Sequence, residues 1–288
     1  MRHVVLLRCG KSSLHKAWLA DHGTARDFEL VLSYFDAEAY AHRDQGDGIR
    51  SCLIPGGKWD GIAKTIAHFP DLLEADYIWL PDDDLATDCA TINRLFALAK
   101  AHGLTVCQPA LSRDSYYSHL HLLQCDGMRM RFTNSIEVMA PCLDRATLKA
   151  CLPLMEAGRS GFGLDWIWTQ LEGSDPRGGA ILDCIPIRHT RPIGTSLAKS
   201  MTAAEIRHEE MLLLKQVGLT RQPYSLCHGA MTDQGKQIMS QLWVGYQIWA
   251  TTRRHKGDYL DWPKVARDAI KLLRRHIFRR EKRLGIRL

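Results

Sequence analysis

The chain has 288 residues, 45% hydrophobic and 24% charged, an ordinary globular composition with room for one large domain or two smaller ones. No apolar run approaches the roughly 18 residues that cross a bilayer, and Val4–Leu7 is too short for the core of a signal peptide. The net charge of +6 is concentrated in Lys264–Leu288, where ten Lys/Arg stand against Asp268 and Glu281; the rest of the chain carries −2, so no nucleic-acid partner is expected.

The first half alternates strand-like and helix-like segments. His3–Leu7 and Phe28–Phe35 read as buried strands, the second ending at Asp36, and Ser51–Ile54 reads as a third. Trp59, Ile62, Ala63, Ile66, Phe69 and Leu73 fall at helical spacing, so a helix is expected after Gly56-Gly57-Lys58. A strand over Tyr77–Leu80, a helix over Ala90–His102 and a strand over Leu104–Pro109 follow. Alternation of this kind predicts a mostly parallel central sheet covered by helices. His119–Gln124 and Met128–Phe132 look like short strands of a ribbon; Ser135–Ala140 comes next, then a helix near Asp144–Glu156. Gly161-Phe-Gly-Leu-Asp165 enters a short helix, and Ile181–Ile187 is a last core strand ending in Arg188-His-Thr-Arg191. Beyond residue 200 the pattern is mainly helical, with Thr202 and Glu205 spaced as a capping box. The expected division is 1–200 and a helical extension over 201–288. Nine cysteines without a C-x-x-C pair argue against a zinc site and a disulfide framework and fit a reducing cytoplasm.

The chemistry gathers at strand ends, where open α/β sheets place their ligands. The Tyr77–Leu80 strand delivers three successive carboxylates, Asp82, Asp83 and Asp84. Their mutual repulsion would be relieved by a hard divalent cation, Mg²⁺ or Mn²⁺; a solvated acidic turn is the bland alternative. Asp165 follows two glycines and reads either as a general base or as a helix N-cap. Lys58, at an expected helix start, could contact a diphosphate or simply be solvated. Asp36 stands at another strand end.

Asp82–Asp84, Asp165 and His189 together resemble the site of a GT-A glycosyltransferase. The order of Gly57–Lys64, Tyr77–Leu85, Asn134–Arg145, Gly161–Asp165 and the strand to His189 is most similar to a plant and bacterial domain-of-unknown-function family, labelled lysine-ketoglutarate-reductase trans-splicing related. The resemblance implies a GT-A-like nucleotide-binding domain that moves a sugar from a nucleotide-sugar donor to a hydroxyl of a glycan or lipid-linked acceptor. It implies Asp82, Asp84 and His189 as ligands of Mn²⁺ or Mg²⁺, with Asp36, Lys58 and Asp83 near the donor. Asn134 and Glu137 would face the acceptor, and Asp165 would be the base of an inverting displacement.

Two other readings compete. Gly10-Lys-Ser12 imitates the end of a phosphate-binding loop, as in a phosphoryl or sulfuryl transferase, but the first glycine of G-x-x-x-x-G-K-[ST] is replaced by Val5. A non-catalytic, membrane-associated binding protein on a transferase fold is the other. In 264–288, Val265, Ala269, Leu272, Leu273 and Ile277 form an apolar stripe among basic residues, suited either to an anionic membrane surface or to packing on the domain itself. The first option would place the protein peripherally on the inner face of the cell membrane.

Overall fold

The computed structural model describes residues 1–20, 23–194, 201–281 and 283–288. The boundary expected at residue 200 lies at 195–200, outside the described residues.

The strands are β1 (His3–Cys9), β2 (Glu29–Tyr34), β3 (Ile49–Leu53), β4 (Tyr77–Trp79), β5 (Leu85–Ala86), β6 (Val106–Leu111), β7 (Met128–Thr133), β8 (Cys142–Asp144), β9 (Gly179–His189), β10 (Cys227–Thr232) and β11 (Gln237–Ile238). They form one sheet in the order β11-β10-β7-β9-β6-β8-β4-β1-β2-β3, with β5 paired to β9 off this path. The helices are α1 (His15–Trp18), α2 (Ala37–Ala41), α3 (Trp59–His68), α4 (Cys89–Ala101), α5 (Arg145–Ala157), α6 (Leu164–Ile167), α7 (Ala203–Gln216), α8 (Gln241–Arg254) and α9 (Trp262–Phe278). β1 sits in the interior of the sheet, and every residue from His3 to Cys9 is buried. That is why its sequence is a continuous apolar run rather than an alternating one.

The sheet is mixed, not mostly parallel. β3, β2, β1 and β4 run parallel, as do β6 and β9. β8 wedges between β4 and β6 antiparallel to both, and β7, β10 and β11 continue antiparallel beyond β9. β8 follows β7 through the loop over 134–141 and runs in the same direction as β7, both of them opposed to the parallel β6 and β9. Residues 119–124 are no strand: Leu120–Leu122 is a 3₁₀ turn with all three side chains buried, so the His/Leu alternation there does not mark two faces. The helix begun at Trp59 stops at His68, and Pro70 opens a 3₁₀ turn through Glu74. The part beyond 200 is not wholly helical, since β10 and β11 extend the sheet from β7.

Side-chain caps start the helices where the sequence offers them. Asp88, Asp144 and Asp261 accept from the backbone N–H three residues on, and Thr202 with Glu205 forms the expected capping box. All nine thiols are free, eight of them buried. No helix among the described residues is long and apolar enough to cross a membrane.

Candidate active site

The chain leaves β4 at Trp79 and is pinned by Leu80 N–H to the Pro141 carbonyl (2.9 Å) and Asp82 N–H to the Met139 carbonyl (2.8 Å). The three aspartates then diverge, each to its own basic side chain. Asp82 Oδ1 accepts from Lys58 Nζ at 2.6 Å. Asp83 Oδ1 accepts from Arg191 Nη1 at 3.3 Å, and its Oδ2 accepts from Gly10 N–H at 3.2 Å. Asp84 Oδ2 lies 3.2 Å from His189 Nε2. The repulsion expected of three adjacent carboxylates is therefore met largely by the protein itself. Burial pushes the Asp82 and Asp83 carboxyls up, against the pull of Lys58 on the one and of Gly10 N–H and Arg191 on the other. Burial opposes ionisation of Asp84 as well, but the bond and charge of His189 outweigh it and hold this carboxyl below its usual range. Asp82 is crowded by protein, yet 37% of its side chain reaches solvent.

Pairing of β5 with β9 brings Asp84 and His189 together: Leu85 stands opposite His189, and the Asp84 carbonyl accepts from Thr190 N–H and Thr190 Oγ1. His189 is oriented from behind, with Nδ1 3.0 Å from the Tyr116 carbonyl. Only an N–H can face that oxygen, so Nδ1 carries hydrogen and Nε2 points at Asp84. Asp84 Oδ1 is buried without a hydrogen-bond partner.

A second group of carboxylates adjoins the first. Gly161 has φ 72° and lies so close to Trp59 that an added Cβ would stand 2.0 Å from its ring. Gly163, at φ 101°, is the N-cap of α6. These two glycines deliver Asp165 into the first turn of α6, so Asp165 is not the cap. Its carboxyl is buried, with Oδ1 unpartnered, and is pushed well above the usual range by burial and then by Glu137. Glu137 is buried too, with Oε2 unpartnered; burial raises its carboxyl and Asp82 adds to the rise, while His119 and Ser118 oppose it. Glu137 also feels the charge of His189. It thus links Asp165 to the Asp82–Asp84 group, and residues from 82–84, 137, 165 and 189 share one neighbourhood.

Other expected residues are employed differently. Lys58 directs all three ammonium donors inward, to Asp82, the Val138 carbonyl (2.6 Å) and the Met139 carbonyl (3.1 Å); it fastens the aspartate loop and has no donor left for a phosphate. The Asn134 amide bridges the Tyr224 carbonyl and Leu226 N–H. Asp36 caps α2, its Oδ1 accepting from Ala39 N–H. Lys11, central to the phosphate-loop alternative, is exposed and pairs with Glu38. Three neighbours of the site were not singled out by the sequence: Arg191, His119 and the Tyr116 carbonyl. Arg191 had a signal in the sequence only as a basic residue two positions beyond His189, just past the end of β9.

Among the described residues, no three His, Cys, Asp or Glu side chains are grouped to hold a metal ion by themselves. Asp84 and His189 nonetheless fit as a two-ligand pair. A ligating histidine usually donates its other ring N–H to a carbonyl or carboxylate, as His189 does to Tyr116. Adjacent positions on a Mg²⁺ octahedron lie about 3 Å apart, near the observed 3.2 Å. Mg²⁺ commonly takes one or two carboxylates and completes its shell with water and substrate phosphates. Cavities of about 160 Å³, against His102 and Arg177, and about 90 Å³, between α5, α7 and the 158–164 loop, lie elsewhere and include none of the three aspartates.

The chain is similar to known proteins in part of its sequence and in its mixed α/β fold. A family model described as a protein of unknown function (DUF707) matches residues 19–157, which includes Asp82–Asp84 and Glu137 but stops before Asp165 and His189. S. aureus TarS 1–349, crystallised with UDP-GlcNAc, superposes with a TM-score of 0.50 over 95% of this chain and 82% of that one, at 10% identity. The same protein with UDP gives a TM-score of 0.43 over 96% and 90%, at 12% identity. No curated protein matches the chain in sequence.

Proposed function

We propose that this protein is a metal-dependent glycosyltransferase, moving a sugar from a nucleoside-diphosphate sugar to an acceptor hydroxyl of a glycan or lipid-linked substrate. The observation that carries the reading is the pairing of Asp84 with His189, one carboxylate oxygen unpartnered, next to the buried Asp165 and Glu137. The likeness in fold to a protein crystallised with UDP-GlcNAc supports it. Asp84 and His189 would hold Mg²⁺ or Mn²⁺, which supplies positive charge to a leaving diphosphate. Asp82 and Asp83 are held by Lys58 and by Arg191 with Gly10, and so shape the donor cleft. Asp165 takes the proton of the acceptor hydroxyl while that oxygen attacks the anomeric carbon from the face opposite the diphosphate. The bond to the diphosphate breaks as the new one forms, with inversion. A carboxyl pushed upward by burial is a stronger base than an ordinary aspartate.

The test is calorimetric titration of a panel of nucleoside diphosphates, with and without Mn²⁺, into wild type and Asp84→Ala. One nucleotide should bind in a Mn²⁺-dependent manner, and Asp84→Ala should abolish that dependence. Failure of every nucleotide to bind would replace this reading with the non-catalytic one.

A further inference from the structure

The two carboxyl-terminal helices α8 and α9 form a hairpin whose inner side is accounted for. Val265, Ala269, Leu272 and His276 recur along one side of α9 and are buried. This is the larger part of the stripe that the sequence offered to a membrane, and the hairpin and the body of the protein cover it. α8 approaches so closely at Gly245 that an added Cβ would stand 2.5 Å from His276 Cβ. Gln241 Nε2 ties the ends together, donating to the His276 carbonyl (2.8 Å) and the Arg279 carbonyl (2.6 Å).

The outer side is different. On α8, Leu242, Tyr246, Trp249 and Arg253 follow at helical spacing and share one stripe. Leu242, Tyr246 and Arg253 are exposed and Trp249 is half-buried. On α9, Ile270, Arg274, Ile277 and Phe278 are exposed, with Phe278 at 77%. Helical spacing puts Ile270 and Ile277 on one flank of α9, opposite the flank of Lys264 and Asp268 that meets Tyr117. α8 contains two arginines and no acid; α9 contains five Lys/Arg and only Asp268. With Lys256, Asp258 and Asp261 of the connecting turn, the hairpin carries a net charge of +5, most of the +6 of the whole chain.

We infer that this outer face docks on an anionic lipid bilayer, with Leu242, Tyr246, Ile270 and Ile277 entering the headgroup region and the arginines meeting lipid phosphates. Helices with one apolar and one basic side lie in the plane of the interface. The charge selects this occupant over others. A second copy would press one +5 hairpin against another. A nucleic acid would satisfy the arginines but leave the apolar ridge in water. The inference is independent of the transferase reading. It has a consequence for the site: Tyr117 O–H donates to Asp268 on α9 (3.1 Å), and the adjacent Tyr116 carbonyl orients His189. α9 is thus tied, through Tyr117, to the segment that orients His189.

Vesicle co-sedimentation of the full chain tests this, comparing phosphatidylcholine with phosphatidylcholine–phosphatidylglycerol. Binding to the anionic vesicles alone is expected, weakening as salt is raised. The triple variant Arg267→Glu, Arg274→Glu, Arg280→Glu should bind about a hundredfold less, and Leu242→Ser with Ile277→Ser about tenfold less. All five positions are exposed, so thermal melts of both variants should match wild type. The inference is overturned by wild type that ignores both kinds of vesicle, or by charge-reversed protein that binds as wild type does. It is overturned equally by a dimer in lipid-free solution that Leu242→Ser with Ile277→Ser dissociates, or by duplex DNA bound as tightly as vesicles and unaffected by that double variant.

Discussion

Asp165 shows at a single residue how the site works against the fold. Burial and the neighbouring Glu137 both disfavour its charge, and its carboxyl is raised well above the ordinary value. A raised carboxyl holds its proton more tightly folded than unfolded. Between the unfolded value near 4 and the raised folded value, the native state binds more protons, so stability falls as pH rises through that window. Asp165→Asn removes the penalty. The variant should melt higher than wild type at pH 7 and nearly with it at pH 4, while turnover at pH 7 drops at least about a hundredfold, the usual contribution of a general base. Paired melts and rate measurements at the two pH values check both parts. A variant less stable than wild type at pH 7 would mean that the carboxylate is satisfied in the fold, and the base assignment would lose its physical footing. Lys58 illustrates the limit of reading one residue from its local context. Its place after two glycines suggested a phosphate ligand, but its partners are Asp82 and two carbonyls about 80 positions away, and only the folded loop over 138–139 brings them there.

At the scale of elements, the parts legible in the sequence were those whose own residues dictate them. β1 and β9 are apolar runs, and His189 is placed by the end of one of them. The Gly161–Asp165 motif is also local, since its two positive φ angles demand glycine. Gly161→Ala tests the element directly. The added methyl meets the Trp59 ring and takes a backbone conformation that alanine resists, so a loss of about 2–4 kcal/mol is expected. Denaturant titration reads this, and activity should fall further than the unfolded fraction explains because α6 moves with Asp165. Unchanged stability would show that the Trp59 contact yields cheaply. β10 was not legible for the opposite reason. Cys-His-Gly-Ala-Met-Thr has a single β-branched residue, Thr232, and no Phe, Tyr or Trp, and it extends the sheet because β7 presents an edge to it. Asn134 belongs to the same event: its amide holds the 224–226 segment beside β7, a role set by residues 90 positions away.

Across the whole molecule, these long-range ties decide whether the carboxyl-terminal third is an accessory or part of the sheet. β10 covers the edge of β7. His276 of α9 accepts from Cys227 N–H in that strand. The final residues return to the region after α6: Arg283 Nη1 donates to the Thr169 carbonyl, Leu284 N–H to Gln170 Oε1, and Ile286 N–H to the Gln170 carbonyl. Thr169 Oγ1 in turn donates to the Asn134 carbonyl, so the tail braces the turn that supports Asp165. A chain ended at residue 200 would lose all of this together and would leave β7 as an open, largely buried-type edge prone to pairing with other chains. We therefore expect such a chain to aggregate, or to melt without a cooperative transition and bind no nucleotide. Circular dichroism melts and size-exclusion chromatography against the full chain measure this. A soluble, cooperatively folding 1–200 fragment would instead show that the sheet is complete without β10 and β11, and that the helices beyond them are an independent attachment to a self-sufficient domain.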